Sequence, residues 1–459
     1  MTAGACTQCG TEVPRRVVPY YDAAEALCPA CVSANVIDFG RDGWPKGIAD
    51  YPPSTAAVVG LHFGRLVLFC GGVARPAEIR PLHALELLER AAKAHGAGQL
   101  WFHESALEPL GLPLEQPRRR PSDVPEVEQA WRRHDGLEVA VPAWEGHTGT
   151  DGQYRNRSPW ARTSNALELS HELGAFEATV GHRWIRSGAI TSDAMLADHW
   201  GGRIKPAELP GEWATAALEQ PDHVVNRNLV DLTDVAAMRY CYAFDLNANY
   251  LGAASNLHLP VGAAIAVGGS EHDLVTPVTQ PGYWDTETGW RTTPGIGERR
   301  ALAGWLYPGS HQYLQPWYRA LRDARALLPR GSAALRAVKA IYQMGPGRLL
   351  STRRGSSPYT QRMYQPYWQQ AVVASARERL RRRIVDMRQA PVAIDVDAAF
   401  FLSDRPDPRI FAAFVGLRLG TALGEWHVIG RCTGAEAAAA LKNPDDLLAI
   451  GELREAVKS

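Results

Sequence analysis

Apolar and polar residues alternate over residues 56–72 as they do along β-strands, and residues 82–97 carry helical periodicity. Residues 99–103 predict a further strand, so the first half of the chain contains an α/β segment. Residues 116–121, with Arg118, Arg119 and Arg120 between prolines, predict an exposed linker. Helices are expected over 127–133 and 164–180, and the Gly-, Arg- and Asn-rich stretch 144–160 reads as loop. In the second half an apolar strand ends at Asp245. Further on, Leu335, Val338 and Tyr342 mark one face of a helix ending at Gly345-Pro-Gly. A helix over 368–385 leads into an apolar segment interrupted by Asp395 and Asp397. The pattern is that of an α+β protein, and no repeat at a solenoid period is visible.

With 459 residues, the chain can form two or three domains. Hydrophobic content of 46% with 21% charged residues is ordinary for a soluble protein. No apolar run approaches the length of a membrane helix and the N-terminus lacks a signal-peptide pattern, so no membrane partner and a cytoplasmic location are expected. The formal net charge of +0 argues against nucleic acid, but the average conceals a local bias. Residues 330–388 hold thirteen basic and two acidic residues, the latter Glu378 and Asp386. Such a run is commonly a solvated helix face; lying between candidate active-site segments, it also suits phosphate contact. Only six of the 49 basic residues are Lys, and Lys339 is the one inside this run.

Cys6, Cys9, Cys28 and Cys31 form two C-x2-C knuckles separated by eighteen residues. Four thiolates so spaced suit a tetrahedral, structural Zn²⁺ site, and a zinc ribbon is expected over 1–35. A disulfide pair is the weaker alternative in a reducing compartment. Cys70, Cys241 and Cys432 have no such partners and read as buried small hydrophobes.

Three segments of the second half carry chemistry. The first, Tyr-Ala-Phe-Asp-Leu-Asn-Ala-Asn-Tyr-Leu over 242–251, ends a strand at Asp245 and places Tyr250 five residues on. A carboxylate at a rigid strand end suits a divalent metal, although an Asp capping a helix after a strand is commonplace. The second is the helix bearing Arg336 and Lys339, three residues apart on one face, which could hold a triphosphate. An ordinary amphipathic helix gives the same pattern. In the third, Asp395 and Asp397 alternate with apolar residues, so both are expected on one side of a strand or hairpin, with a cation between them.

The order of these segments resembles family B DNA polymerases. Asp245 and Tyr250 occupy the Asp and Tyr of that family's D-x-x-S-L-Y-P. Lys339, Gln343 and Gly347 occupy the Lys, Asn and final Gly of K-x3-N-S-x-Y-G, and Asp395 and Asp397 the two Asp of Y-x-D-T-D-S. The segment Leu-Gly-Glu-Trp-His over 423–427 is similar to one in protein-primed phage polymerases.

The resemblance implies a polymerase palm, an antiparallel sheet with helices, over 226–459. It adds helical fingers at about 310–350 and a short thumb, since about 60 residues follow Asp397. Asp245 and Asp397 would hold two Mg²⁺ or Mn²⁺ ions with Asp395 assisting. Tyr250 would exclude a ribose 2′-hydroxyl. Lys339 would contact the nucleotide phosphates, while Arg336 joins it on helix geometry alone. The partners implied are primer-template DNA and deoxynucleoside triphosphates, with a priming protein left open. The intervals from Asp245 to Lys339 and from Lys339 to Asp395 are short for the protein-primed branch. That implies reduced insertions for gripping a terminal protein and displacing a strand.

Departures from the pattern are substantial. Ala248, Asn249, Leu251, Gln343, Met344, Pro346, Ala393, Val396 and Ala398 replace family residues. Residues 36–115 are expected as an exonuclease-like α/β domain without chemistry. His103-Glu104 and Glu108 stand where the family has F-H-N-x-x-F-D, and Asp38-Phe-Gly40 lacks a second acid. A DNA-binding or purely structural domain fits that segment equally, and 116–225 is expected to be a linker and helical connection. The function implied is a template-directed DNA polymerase without proofreading, serving a mobile element, a linear replicon end or repair. The alternative is an inactive, polymerase-derived DNA-binding protein; a sugar-nucleotide site at Asp395-Val-Asp397 would leave Lys339 and the Arg-rich helix unexplained.

Overall fold

Short apolar segments, the central ones buried on both faces, build a six-stranded mixed sheet in the first half of the chain. In the computed structural model its strands are β1 (Ala57–His62), β2 (Arg65–Cys70), β3 (Val73–Pro76), β4 (Gln99–Phe102), β5 (Trp131–His134) and β6 (Leu137–Ala140). Their order is β3-β2-β1-β4-β6-β5, with β1, β4 and β6 parallel and the other pairings antiparallel. The structure describes residues 4–5, 12–13 and most of 44–458. Outside the description lie 1–3, 6–11, 14–43, 63–64, 71–72, 77–83, 95, 115–130, 135, 145–146, 149–153, 156–157, 202–203, 205–206, 209–222, 228–230, 269–281, 287–288, 292–302, 350–363 and 459. The four cysteines expected to bind zinc, Asp38, Gly40 and the arginines of the 116–121 linker fall there.

Helix α1 (Ala84–Ala94) connects β3 to β4 and buries Leu88 and Ala92 against Val59, Leu68, Leu100 and Val139. Helix α2 (Ala166–Val180) starts at Asn165, whose side chain accepts from the Glu168 N–H at 2.8 Å, and stops at left-handed Gly181. It lies against β1 where Gly60 has no side chain: a Cβ there would come within 2.4 Å of the Ala166 Cβ. Trp101, Phe176 and Trp184 pack edge-on around Trp160.

The helix expected over 127–133 is not what forms at its end: Trp131–His134 is strand β5. The missed signal is Asp135-Gly136, a hairpin dipeptide, with Gly136 at φ 81 turning the chain from β5 into β6. The sheet therefore runs past the 36–115 span expected for it, because β6 adds to β4.

By contact, the chain divides into two units: Met1–Thr191 with Asp323–Ile341, and Ser192–Arg322 with Tyr342–Ser459. The second unit is built on an antiparallel five-stranded sheet of β7 (His223–Val225), β8 (Tyr240–Leu246), β9 (Ala393–Asp395), β10 (Ala398–Ser403) and β11 (Trp426–Cys432), ordered β7-β9-β10-β8-β11. Helix α3 (Asn249–Ala253) follows β8, and α4 (Pro366–Val385) precedes β9. Helices α5 (Pro408–Val415), α6 (Gly434–Leu441) and α7 (Asp446–Lys458) complete this part. Period-two alternation divides the sheet's faces. Cys241, Ala243, Ala393, Ala398 and Phe400 pack against α6 and α7, whereas Tyr242, Phe244, Ala399 and Phe401 pack against α5 and Leu380 of α4. Gly430 lets α7 approach β11, since a Cβ there would lie 2.3 Å from the Val457 carbonyl oxygen.

The helix expected to end at Gly345 continues as Ala333–Arg348 with Pro346 inside it. Among the described residues, no helix is long and apolar enough to cross a membrane.

Candidate active site

The register of the second sheet sets out a row of side chains. Asp395 on β9 faces Ala398 on β10, Ala398 faces Asp245 on β8, and Asp245 faces His427 on β11. Opposed residues of antiparallel strands project to one side, so all four share the face that α7 covers. Between β9 and β10 the chain turns through Val396 and Asp397. Val396 has φ 56, a left-handed conformation that a β-branched residue rarely adopts. The turn is fastened to β8 by the Leu246 N–H, which donates to the Asp397 carbonyl at 3.0 Å.

This turn brings the Asp397 carboxyl to the Asp245 carboxyl, close enough for a hydrogen bond between them when one is protonated. Burial, followed by the charge of Asp245 and the bond to it, pushes the Asp397 carboxyl up to about 8. Asp245 is raised as well, mainly by burial, with the bond to Asp397 and the charge of Arg454 acting in the opposite direction. Two half-buried carboxylates in contact cannot both ionise without a counter-charge, so the pair holds either a proton or a cation. His427 Nδ1 stands 3.5 Å from Asp245 Oδ2.

Asp395 shares the sheet face of Asp245, and its charge reaches both Asp245 and Asp397, but its carboxylate is also paired with a cation. It is the last residue of β9, 3% exposed, and its Oδ2 lies 2.9 Å from Nε of Arg454 on α7. Strand alternation does not carry from Asp395 to Asp397 because the left-handed Val396 intervenes. Among the described residues, no three His, Cys, Asp or Glu side chains converge as a metal-binding group. What the site offers a divalent ion is a pair of carboxylates whose mutual repulsion such an ion would relieve, and that donor set fits one.

Tyr250 lies on α3, half-buried, two residues beyond left-handed Ala248. Helix α4 holds α3 in place. Asn249 Nδ2 donates to the Ala376 carbonyl at 3.2 Å, and Arg379 Nη1 donates to the Gly252 carbonyl at 2.8 Å. Arg383 donates to the Gly424 carbonyl, and the Asn247 N–H to the Glu425 carbonyl at 2.9 Å. The 423–427 segment is thus tied to the turn after Asp245. Several arginines of the basic run hold backbone carbonyls here, a use that a charge count does not reveal.

Arg336 and Lys339 fall in the first unit. Arg336 already serves the backbone: its Nε and Nη2 donate to the Pro159 carbonyl at 3.4 and 3.2 Å, and Nη1 donates to the Gly331 carbonyl. Lys339 is exposed, and the desolvation it does meet, with the nearby Arg325 charge, lowers its ammonium pKa. In the segment likened to an exonuclease motif, Glu104 and Glu108 are exposed. His103 is buried, Nδ1 accepting from the Ser105 N–H at 3.2 Å and Nε2 lying 3.0 Å from the Thr163 carbonyl. Its ring is occupied in structural bonds.

No protein-family model and no curated protein matches this chain. Among solved structures it is similar to Phi29 DNA polymerase complexed with primer-template DNA and incoming nucleotide substrates. That match has 11% identity, covers 82% of this chain and 84% of that chain, and gives a TM-score of 0.43. It is also similar to Phi29 DNA polymerase complexed with single-stranded DNA, at 10% identity over 83% of this chain and 84% of that one, with a TM-score of 0.38.

Proposed function

We propose that this chain is a template-directed DNA polymerase that uses Asp245 and Asp397 to bind divalent cations. The observation that carries the reading is the contact between these two carboxyls at the end of β8 and in the β9–β10 turn. Two divalent ions, when bound, would activate a primer hydroxyl and neutralise the leaving pyrophosphate. The chain's part is positioning. The Leu246–Asp397 backbone bond fixes the turn, Arg379 and Asn249 fix α3, and Tyr250 on α3 limits the sugar that can be accepted.

Motif order alone assigns Lys339 to the nucleotide phosphates, and spacing alone assigns Cys6, Cys9, Cys28 and Cys31 to a structural Zn²⁺. The first unit is proposed as a scaffold without proofreading on motif departures alone: Glu104 and Glu108 replace the Asn and Asp of F-H-N-x-x-F-D, and Gly40 replaces the second acid of D-x-E.

The test is extension of a primed template by purified protein with Mg²⁺ or Mn²⁺, which Asp397→Asn should abolish. Absence of product with wild-type protein on every primer type, including a hydroxyl on a protein, would sink the reading. Salt-sensitive DNA binding that persists without Asp245 and Asp397 would then support the non-catalytic alternative.

A further inference from the structure

Asp395 needs a cationic partner, because an ionised carboxylate buried to 3% exposure is costly when unpaired. Two sources could supply it: a divalent ion, were one bound at Asp245 and Asp397, or the guanidinium of Arg454. The cross-sheet row places Asp395 two strands from Asp245, roughly 9–10 Å between backbones, with Ala398 between. Arg454 Nε is 2.9 Å from Asp395 Oδ2, an ion pair by distance without hydrogen-bond alignment, and the charges of Arg454 and of Asp395 both reach Asp245.

Arg454 is held there by the packing of α7. At its start, Asp446 accepts from the Val225 N–H at 3.1 Å and pairs with Arg227 at 2.8 Å. Near its end, Val457 lies against Gly430, where a Cβ would not fit. The helix is fastened on both sides of Arg454, so the guanidinium meets Asp395 without a search.

We infer that Arg454 is a positioning residue which keeps Asp395 out of the cation shell, so that the site binds divalent ions through two carboxylates rather than three. The inference rests on reading Asp245 and Asp397 as a cation-binding pair. Its consequence is a site of low intrinsic charge, whose ions are retained firmly only when the phosphates of a nucleotide supply further oxygens. Removing Arg454 would free a third hard oxygen donor and convert the site into a tighter, resident metal centre.

The experiment is Mn²⁺ binding to the full chain without DNA or nucleotide, read from the electron paramagnetic resonance signal of free Mn²⁺. Asp397→Asn should weaken binding at least about tenfold, Asp395→Asn should leave it within about twofold, and Arg454→Met should tighten it by about tenfold. Arg454→Lys should restore the wild-type value. A merely structural role for Arg454 would not tighten binding. A tenfold loss in Asp395→Asn, or unchanged affinity in folded Arg454→Met, overturns the inference while leaving the carboxylate pair intact. Should Arg454→Met fail to fold, Asp395→Asn decides alone, since it leaves the half-exposed Arg454 free to face water. Wild-type binding that does not depend on Asp397 removes the cation-pair reading itself, and this inference with it.

Discussion

The Leu246 N–H donates to the Asp397 carbonyl at 3.0 Å, so the backbone of the β9–β10 turn is fastened to the strand end that carries Asp245. The position of the Asp397 carboxyl is therefore set by the main chain before its side chain makes any contact. The turn achieves this with Val396 at φ 56. A β-branched residue there stores strain of about 1–3 kcal/mol, whereas Asn tolerates the left-handed region. Val396→Asn is expected to raise stability by roughly 1 kcal/mol and preserve Asp397-dependent Mn²⁺ binding. Urea unfolding checks the first and Mn²⁺ titration the second; a destabilised variant would mean that the turn is not strained.

The carboxyl pair makes a second expectation. Burial and Asp245 raise Asp397 to about 8, so the folded chain binds that proton more tightly than the unfolded chain does. Stability from this group falls as pH rises from the ordinary carboxylate range towards 8, and Mn²⁺ should restore it by replacing the proton. At pH 8 without metal, Asp397→Asn should melt above wild type by on the order of 2–4 °C. Added Mn²⁺ should raise the melting temperature of wild type and not of the variant. Equal responses in a thermal melt would show that the cation binds elsewhere.

How far the sequence reveals this site depends on the range of each contact. An apolar run is a local property, so the strand that ends near Asp245 was legible from it, as were α2 and most of α4. Asp245 and Asp397 stand out as chemistry because each ends or follows an apolar strand. Asp395 looks equivalent to Asp397 until Arg454, 59 residues later, is seen beside it. His427 reaches Asp245 only through strand register, including the irregularity between Ala243 and Phe244. Arg336 seemed a phosphate ligand on its own helix, yet Pro159, 177 residues away, takes its donors. Long-range pairing is what periodicity cannot encode, and most of the corrections are of that kind.

Arg336 gives a third prediction, which separates those two uses. Its guanidinium satisfies the Pro159 and Gly331 carbonyls, so Arg336→Gln should cost about 1–3 kcal/mol of stability. Nucleotide KM should remain within about twofold, since these bonds leave the guanidinium committed to backbone oxygens. Urea unfolding and steady-state extension kinetics measure the two effects. A large KM increase with unchanged stability would return Arg336 to the phosphate role.

Glu172 on α2 carries the last prediction. It is fully buried, with Oε2 accepting from the Ala334 N–H at 2.8 Å and Oε1 without a hydrogen-bond partner among the described residues. Burial raises its carboxyl to about 7; the N–H groups of Ala334 and Ala333 at the start of the helix Ala333–Arg348 only partly offset it. Below pH 4.5 the folded and unfolded chains both hold the proton, and the group is neutral in the balance. Between 4.5 and 7 the unfolded chain ionises first, so stability falls as pH rises, reaching its full penalty above 7. The raised value sets an upper bound of about 3 kcal/mol on that penalty. Gln keeps an acceptor for the Ala334 N–H and cannot ionise. Glu172→Gln should therefore be stabilised relative to wild type by roughly 1–3 kcal/mol more at pH 8 than at pH 5. Urea unfolding at the two pH values measures the difference. A pH-independent gap would mean that Glu172 stays charged when buried, held by its helix N-terminus and the Arg336 charge rather than by a proton.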